Sequence, residues 1–194
     1  MKKNKIIIGG GGTGGHVFPA ISIADALTKL LPEAEILFVG AQGRLEMEKV
    51  PEEGYKIIGL PVAGLQRKFT VKNLCFPVKL MHSMMLSSRI VRDFKPDVAI
   101  GVGGYASGPI LRVASNKNIP VLIQEQNSYA GITNRMLASR ATKIFVAYEG
   151  MEKYFPAGKI IFTGNPVRPG IIECNAKRDA GLRYFDLNPT RKTI

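Results

Sequence analysis

Two glycine-rich segments of this chain have the spacing of phosphate-binding loops. The first, residues 9–16, reads Gly-Gly-Gly-Gly-Thr-Gly-Gly-His and fits G-x-G-x-x-G at Gly10, Gly12 and Gly15. The second, residues 101–108, reads Gly-Val-Gly-Gly-Tyr-Ala-Ser-Gly. Each precedes a helical pattern, and a helix N-terminus offers free N–H groups to an anion. Two such loops on one sheet edge predict a diphosphate site. For the first loop, a tight turn without a ligand is the alternative.

Two titratable residues accompany these loops. His16 closes the first loop, and Glu125 lies in the polar run Gln-Glu-Gln-Asn-Ser at 124–128, which follows another apolar run. An imidazole near a carboxylate can take a proton from a hydroxyl group. The alternatives are a capping or packing role for His16 and simple loop solvation for 124–128. The residues alone leave open which of the two is the base, and His82 lies mid-helix and is predicted to be structural.

The elements that must position these loops alternate between strands and helices. Seven continuously apolar runs predict strands buried on both faces, at 5–8, 35–39, 56–60, 97–102, 120–123, 143–147 and 159–163. Helical patterns fill the gaps, at 19–31, 45–50, 77–94, 108–116, 132–138 and 150–154. This alternation predicts an α/β fold, a Rossmann-like doubly wound parallel sheet, with ligands at the carboxyl ends of its strands.

Length and composition favour one domain and exclude several protein classes. The 194 residues are 45% apolar and 22% charged, which is ordinary for a globular protein. No run suits a transmembrane helix, the N-terminus lacks a signal-peptide core, and two cysteines are too few for a disulfide framework or a zinc site. A Walker loop is excluded because no Lys-Ser/Thr pair follows Gly14. A dinucleotide site is disfavoured because residues 39–42, at the end of the second predicted strand, contain no acid that could bind the ribose.

The domain is predicted to span 1–175. Residues 176–194 are predicted to be a linker and the start of a further domain that the chain does not contain, because residues 190–194 resemble a segment that leads into a new strand. A ragged tail is the alternative.

The net charge of +12 predicts an anionic partner. Residues 67–95 hold seven Lys and Arg but one acid, Asp93. The helix predicted at 77–94 has one stripe typical of a core, formed by Leu80, Met84, Val91 and Phe94. An opposite stripe, with two residues upstream, predicts contact with an anionic membrane surface; it comprises Leu74, Phe76, Val78, Met81, Met85, Arg89 and Arg92. The alternative to membrane contact is a helix buried on both sides or a dimer contact. Nucleic-acid binding is disfavoured because no stacking aromatic residues are interleaved with the cations.

Four segments in order, 11–19, 101–109, 125–127 and 164–168, resemble the MurG family of bacterial peptidoglycan N-acetylglucosaminyltransferases. The resemblance implies a GT-B fold of two Rossmann-like domains, with this chain as the N-terminal, acceptor-side domain. The donor-binding C-terminal domain would be missing, so the isolated chain is expected to lack turnover. One departure is Gln124, where many relatives have His.

The resemblance further implies an inverting hexosyltransferase that moves N-acetylglucosamine from UDP-N-acetylglucosamine to the 4-hydroxyl of undecaprenyl-pyrophosphoryl-N-acetylmuramoyl-pentapeptide. It implies no cofactor and no metal, and a peripheral location on the cytoplasmic face of the inner membrane. By this resemblance the catalytic candidates are His16 and Glu125. The implied donor contacts are Thr13, Gly14, Gly15, Asn127 and Arg168, and the implied acceptor-diphosphate contacts are Gly12, Gly103, Gly104, Tyr105 and Ser107. The competing classes are a nucleotide-binding oxidoreductase domain and a non-enzymatic membrane-surface module.

Overall fold

The computed structural model describes residues 3–62, 76–172, 178–188 and 190–191. Within them seven strands form one parallel sheet in the order β3-β2-β1-β4-β5-β6-β7. The strands are β1 (Lys5–Gly9), β2 (Glu35–Ala41), β3 (Lys56–Leu60), β4 (Val98–Gly101), β5 (Val121–Glu125), β6 (Lys143–Val146) and β7 (Ile160–Phe162). All seven predicted strands are present, so the prediction of a Rossmann-like parallel sheet is confirmed.

Helices cover both faces of the sheet. They are α1 (Gly14–Leu30), α2 (Glu46–Glu52), α3 (Phe76–Phe94), α4 (Ser107–Asn116), α5 (Ile132–Leu137), α6 (Pro169–Ile172) and α7 (Arg178–Tyr184). Helices α1 and α2 pack on one face with a core that includes Ile6 and Ile8. Helices α3, α4 and α5 pack on the other face with Ile7, because successive side chains of a strand point to opposite faces. The fold is therefore doubly wound.

The two edge strands differ from the prediction that every strand is buried on both faces. Ile58 in β3 and both Ile161 and Phe162 in β7 are exposed. Each of these strands has a neighbour on one side only, and a helix layer covers the centre of a sheet better than its edges. The apolar composition of a run does not reveal whether its strand lies at an edge.

Two helical segments also differ from their predicted bounds. Helix α1 begins at Gly14, five residues before the predicted start, because the Thr13 carbonyl accepts the N–H groups of His16 and Val17. Pro19 therefore lies inside the helix rather than at its start, where proline is most common. The predicted helix at 150–154 is a short 3-10 turn, Met151–Lys153. Residues 178–184 of the predicted linker form α7. The domain limits themselves remain a prediction.

The sheet order places the two glycine loops side by side. The first loop follows β1 and the second follows β4, and these adjacent strands pair in register from Ile6 opposite Val98 to Gly9 opposite Gly101. The strand order reverses between them, since the chain runs outward to β3 on one side and to β7 on the other. Such a topological switch point opens a crevice at the carboxyl ends of the strands.

A buried carboxylate fixes the first loop against β2. Glu46, at the start of α2, is 1% exposed. Its Oε2 accepts the N–H of Gly12 at 2.8 Å, and its Oε1 accepts the N–H of Ala41, the last residue of β2, at 2.8 Å. The side chain therefore joins the loop after β1 to the end of β2 through two hydrogen bonds from the backbone.

We predict that Glu46→Gln destabilises the 194-residue chain. The substituted amide would turn a donor toward one of the two N–H groups, so one buried donor loses its acceptor at a cost of about 1–3 kcal/mol in the free energy of unfolding. Glu48→Gln, on the same helix but at an exposed position, is the control and should change it by less than about 0.5 kcal/mol. Urea denaturation measures both, and equal midpoints for the two variants would contradict the anchoring role.

Candidate active site

The two glycine loops touch through their backbones. The N–H of Gly11 donates to the carbonyl of Gly103 at 3.3 Å. Gly104 has a φ of +85°, and a Cβ atom placed on it would lie 2.2 Å from the carbonyl oxygen of Gly11. A side chain at position 104 would therefore force the loops apart, and only glycine permits this approach.

A cavity of about 420 Å³ lies where the loops meet, a size within the range of about 300–1,000 Å³ that is typical of small-molecule sites. It contains seven of the predicted residues, namely Gly12, Thr13, His16, Gly103, Gly104, Tyr105 and Glu125. The other lining residues are Gly11, Ala41, Arg44, Val62, Gly131, Ile132, Thr133 and Asn134. The strand ends thus bring four of the five predicted acceptor residues, all but Ser107, and both titratable candidates to one cavity.

Part of the predicted diphosphate cradle is already bonded within the protein. The N–H groups of Gly10, Gly11 and Gly12 donate to the Val39 carbonyl, the Gly103 carbonyl and the Glu46 carboxylate. In this conformation the Gly12 N–H is therefore not a free donor, and the role of Gly12 at the diphosphate stays a prediction. In the first turn of α1 the N–H groups of His16 and Val17 donate to the Thr13 carbonyl, which leaves those of Gly14 and Gly15 without an intrahelical acceptor.

In the second loop, Ser107 also differs from its predicted role. Its side chain is fully buried, and its hydroxyl donates to the Gly104 carbonyl at 2.8 Å. The hydroxyl thus holds the loop in shape instead of facing the cavity. Tyr105, by contrast, is exposed and lines the cavity.

His16 spans the two loops. Its Nδ1 lies 3.4 Å from the hydroxyl oxygen of Thr13. A Cβ atom placed on Gly103 would lie 2.8 Å from both Cδ2 and Nε2 of the ring, so this edge of the imidazole rests on the second loop. One ring nitrogen is thereby oriented by Thr13, and the other lies at the junction of the loops, beside the cavity.

Glu125 is buried and its carboxylate is fully engaged. Oε1 accepts the backbone N–H and the side-chain amide of Asn127, both at 3.1 Å. Oε2 accepts the Gly131 N–H and the Asn134 side-chain amide, both at 2.9 Å. These four bonds hold the turn between β5 and α5. The geometry is that of an anchor and gives no support to Glu125 as the base.

Gln124, the position that departs from the resemblance, does not line the cavity. It is buried beside Gln126, whose side-chain amide donates to the Gln124 side-chain oxygen and to the Val102 carbonyl. Gln124 Nε2, Gln126 Oε1 and Asn134 Oδ1 have no hydrogen-bond partner within the part of the chain that the structure describes.

The remaining predicted donor residues lie outside this cavity. Asn127 is turned toward Glu125, as above. Arg168 stacks on the ring of Phe18, with 4.4 Å between its guanidinium carbon and the ring centroid. The Phe18 ring in turn packs against the backbone of Gly14. The structure thus places Arg168 beside α1, in a separate cavity that Asp25 also lines.

Sequence reasoning missed two polar side chains of the site. Arg44, an exposed cation on the loop after β2, lines the cavity, and the rule that ligands bind at strand ends would have pointed to it. Asn134 lies on α5 and reaches the cavity beside Glu125. Its position in a short polar helix carries no comparable signal.

The stripe of α3 that was predicted to contact a membrane is exposed. Val78, Met81 and Met85 are 63%, 61% and 59% exposed. Arg89 and Arg92 are also exposed, and both lie within salt-bridge distance of Asp93, which lowers the net charge of the stripe. Leu74 and the side chain of Phe76 lie outside the described residues.

Leu80 was expected in the core stripe of α3, and that expectation is wrong, because Leu80 is 40% exposed. Val91 is buried as predicted, and Met84 and Phe94 pack against the core.

The described residues contain neither a metal-binding cluster nor a membrane-spanning helix. No group of three or more His, Cys, Asp or Glu side chains in that part of the chain has an arrangement suited to a metal ion. Across the same residues, no helix combines the length and the apolarity needed to cross a bilayer.

Comparison with known proteins gives one family. The sequence profile of the glycosyltransferase family 28 N-terminal domain matches residues 6–146. A protein of Parabacteroides distasonis named UDP-N-acetylglucosamine–N-acetylmuramyl-(pentapeptide) pyrophosphoryl-undecaprenol N-acetylglucosamine transferase is 58% identical over 194 residues, which are 100% of this chain and 53% of that protein. The Flavobacterium psychrophilum protein of the same name is 54% identical over 194 residues, again 100% of this chain and 53% of the relative. The chain thus spans about half the length of these relatives.

Solved structures agree with the fold. The crystal structure of Acinetobacter baumannii MurG superposes with a TM-score of 0.72 at 27% identity, over 85% of this chain and 46% of that one. A UDP-GlcNAc 2-epimerase from Neisseria meningitidis shares the fold at a TM-score of 0.67 and 16% identity, over 98% of this chain and 56% of that one. The profile match covers most of the chain and includes β1 to β6, and with it both glycine loops. The chain therefore belongs to glycosyltransferase family 28, whose N-terminal domain it carries.

Proposed function

We propose that the complete gene product containing this chain transfers N-acetylglucosamine from UDP-N-acetylglucosamine to the 4-hydroxyl of undecaprenyl-pyrophosphoryl-N-acetylmuramoyl-pentapeptide, with inversion at the anomeric carbon. The names of the relatives that match the whole chain support this substrate pair. The single observation that carries the proposal is the cavity between the two touching glycine loops, with His16 at its wall.

In the proposed reaction His16 is the general base. The acceptor hydroxyl oxygen attacks the anomeric carbon, the bond from that carbon to the β-phosphate oxygen of UDP breaks, and the hydroxyl proton passes to Nε2 of His16. This role requires the tautomer with the proton on Nδ1, in which Nδ1 donates to the Thr13 hydroxyl 3.4 Å away and Nε2 is the acceptor. Glu125 is assigned the role of anchor, because its oxygens already accept four donors.

Negative charge develops on UDP as it leaves. We assign its stabilisation to the N-terminal turn of α1 and to Arg168, which lies beside that turn against Phe18. The acceptor diphosphate is assigned to the second loop and to Arg44, because the Gly10, Gly11 and Gly12 amides are already bonded. The proposal uses no metal ion.

We propose a peripheral site of action on the cytoplasmic face of the inner membrane, and the exposed stripe of α3 supports contact with an anionic membrane surface. Its three apolar side chains precede two arginines along one helix face. Such a stripe suits an interfacial helix, with apolar side chains in the acyl boundary and cations at anionic headgroups.

A nucleotide-binding oxidoreductase, one of the two competing classes, receives no support from the site. The acid that would hold a ribose is expected at the end of β2. The carboxylate found there belongs to Glu46, and both of its oxygens accept backbone N–H groups.

We predict that His16→Ala in the complete gene product lowers kcat for sugar transfer by about 100- to 10,000-fold, the usual contribution of a general base. KM for both substrates should change far less, because the side chain acts on a proton. His82→Ala replaces the chain's other histidine, on the exposed side of α3, and is the control with unchanged kcat. A kcat for His16→Ala within a few-fold of wild type would refute the assignment.

We predict that Glu125→Gln lowers the free energy of unfolding of the 194-residue chain by about 1–3 kcal/mol, because one buried donor then loses its acceptor. The control is Glu149→Gln at an exposed position after β6. Thermal or urea unfolding measures the change, and kcat of the complete gene product is measured beside it. Unchanged stability with a loss of kcat above about 100-fold would instead identify Glu125 as the base.

We predict that the double charge reversal Arg89→Glu with Arg92→Glu weakens binding of the chain to phosphatidylglycerol vesicles by more than about 30-fold, since each cation near an anionic surface contributes about 1 kcal/mol. The control is Lys29→Glu with Lys143→Glu, which changes the net charge equally at exposed positions away from α3. Vesicle sedimentation measures both. Equal losses in the two variants would attribute binding to net charge, and no loss in either would assign the stripe to another contact.

A further inference from the structure

A second cavity adjoins the site and is not explained by the chemistry above. It lies between α3, α4 and α5, has a volume of about 580 Å³ and is lined mostly by apolar side chains. Leu80 and Met84 form its wall on α3, Pro109 on α4, and Met136 on α5. A volume in the range of about 300–1,000 Å³ with apolar walls is typical of a ligand site.

This groove is continuous with the candidate active site. Val62, Tyr105 and Thr133 line both cavities. A ligand held at the second glycine loop therefore has an apolar path leading away from it, past Tyr105 and along α3.

The groove also borders the exposed stripe of α3. Leu80 and Met84, which line it, alternate along the helix with Met81 and Met85, which belong to the stripe. Two cations, Lys79 and Arg112, line the groove as well. The aliphatic stems of such side chains can cover an apolar ligand while the charges stay in water. The groove thus connects a surface suited to a bilayer with the cavity that contains His16.

We propose that this groove binds the isoprenoid segment next to the diphosphate of the lipid-linked acceptor, so that the first part of the prenyl chain leaves the bilayer and lies between α3 and α5. The inference rests on the proposed function, which supplies a diphosphate in the neighbouring cavity. Burial of the chain adds affinity with each methylene removed from water, and it fixes the direction in which the acceptor sugar points toward His16.

Isothermal titration of the 194-residue chain tests the proposal with inorganic pyrophosphate, geranyl diphosphate, farnesyl diphosphate and farnesol, each below its micellar concentration. We expect affinity to rise with chain length, and farnesyl diphosphate to bind at least about tenfold more tightly than pyrophosphate. The groove variant Leu80→Gln with Met84→Gln should remove this advantage. Its affinity for pyrophosphate should stay within about twofold of the wild-type value, because neither substitution changes the charge and both lie outside the diphosphate cavity.

The matched control is Met81→Gln with Met85→Gln, which also replaces two apolar side chains by glutamine, on the exposed stripe of the same helix, and should keep the advantage. Thermal unfolding verifies that both double variants are folded. Equal affinity of the wild-type chain for pyrophosphate and farnesyl diphosphate would overturn the proposal, and so would equal losses in the two variants.

The same titrations separate this proposal from the proposed function. If farnesol binds, loses affinity in the groove variant alone and gains nothing from an added diphosphate, the groove takes the isoprenoid but the diphosphate assignment fails. If pyrophosphate binds and the longer probes bind no better, the diphosphate assignment stands and the groove proposal fails.

Discussion

The direct contact between the backbones of Gly11 and Gly104 is the constraint on which the candidate site depends. It sets the separation of two loops that end adjacent strands, and it is possible only because position 104 has no side chain. The register that pairs Gly9 with Gly101 brings the loops to the same height at the sheet edge. The cavity, the position of His16 above Gly103 and the place of Tyr105 all follow from this contact.

Two buried carboxylates support that arrangement from either side. Glu46 ties the first loop to the end of β2, and Glu125 ties the end of β5 to the start of α5. Both accept backbone N–H groups that a loop would otherwise leave unsatisfied, which is costly in a buried place. The site is thus shaped by charged groups that need not touch a substrate. An acidic residue near an anion site can therefore be structural, and its geometry decides its role.

Much of the fold was predictable from sequence because the signals are local. Runs such as Ile6 to Ile8 are apolar enough to be strands, and the glycines that follow end them. Strand alternation with helices then fixes a doubly wound sheet and the edge where ligands bind. What was not predictable depends on contacts distant in sequence. The bond from Gly12 to Glu46 spans 34 residues, and no local pattern indicates that this amide is already used.

The distinction between local signals and distant contacts also explains the other differences between the predicted and the observed structure. Ser107 looks like a phosphate-binding hydroxyl in sequence, but its rotamer and burial direct it to the Gly104 carbonyl. Helical spacing separated the faces of α3 except at Leu80, which is exposed because it faces the open groove between α3, α4 and α5. Arg44 follows from the strand-end rule, whereas Asn134 requires the position of α5.

Pro19, placed within α1, has an effect on the turn that precedes it. Proline has no N–H to give to the residue four positions earlier, so the carbonyl of Gly15 is left without its usual helical donor. Helix carbonyls point toward the C-terminus, so the missing bond leaves the free N–H groups at the start of α1 unaffected. The first turn is therefore joined to the rest of the helix by one hydrogen bond fewer than a turn without proline would be.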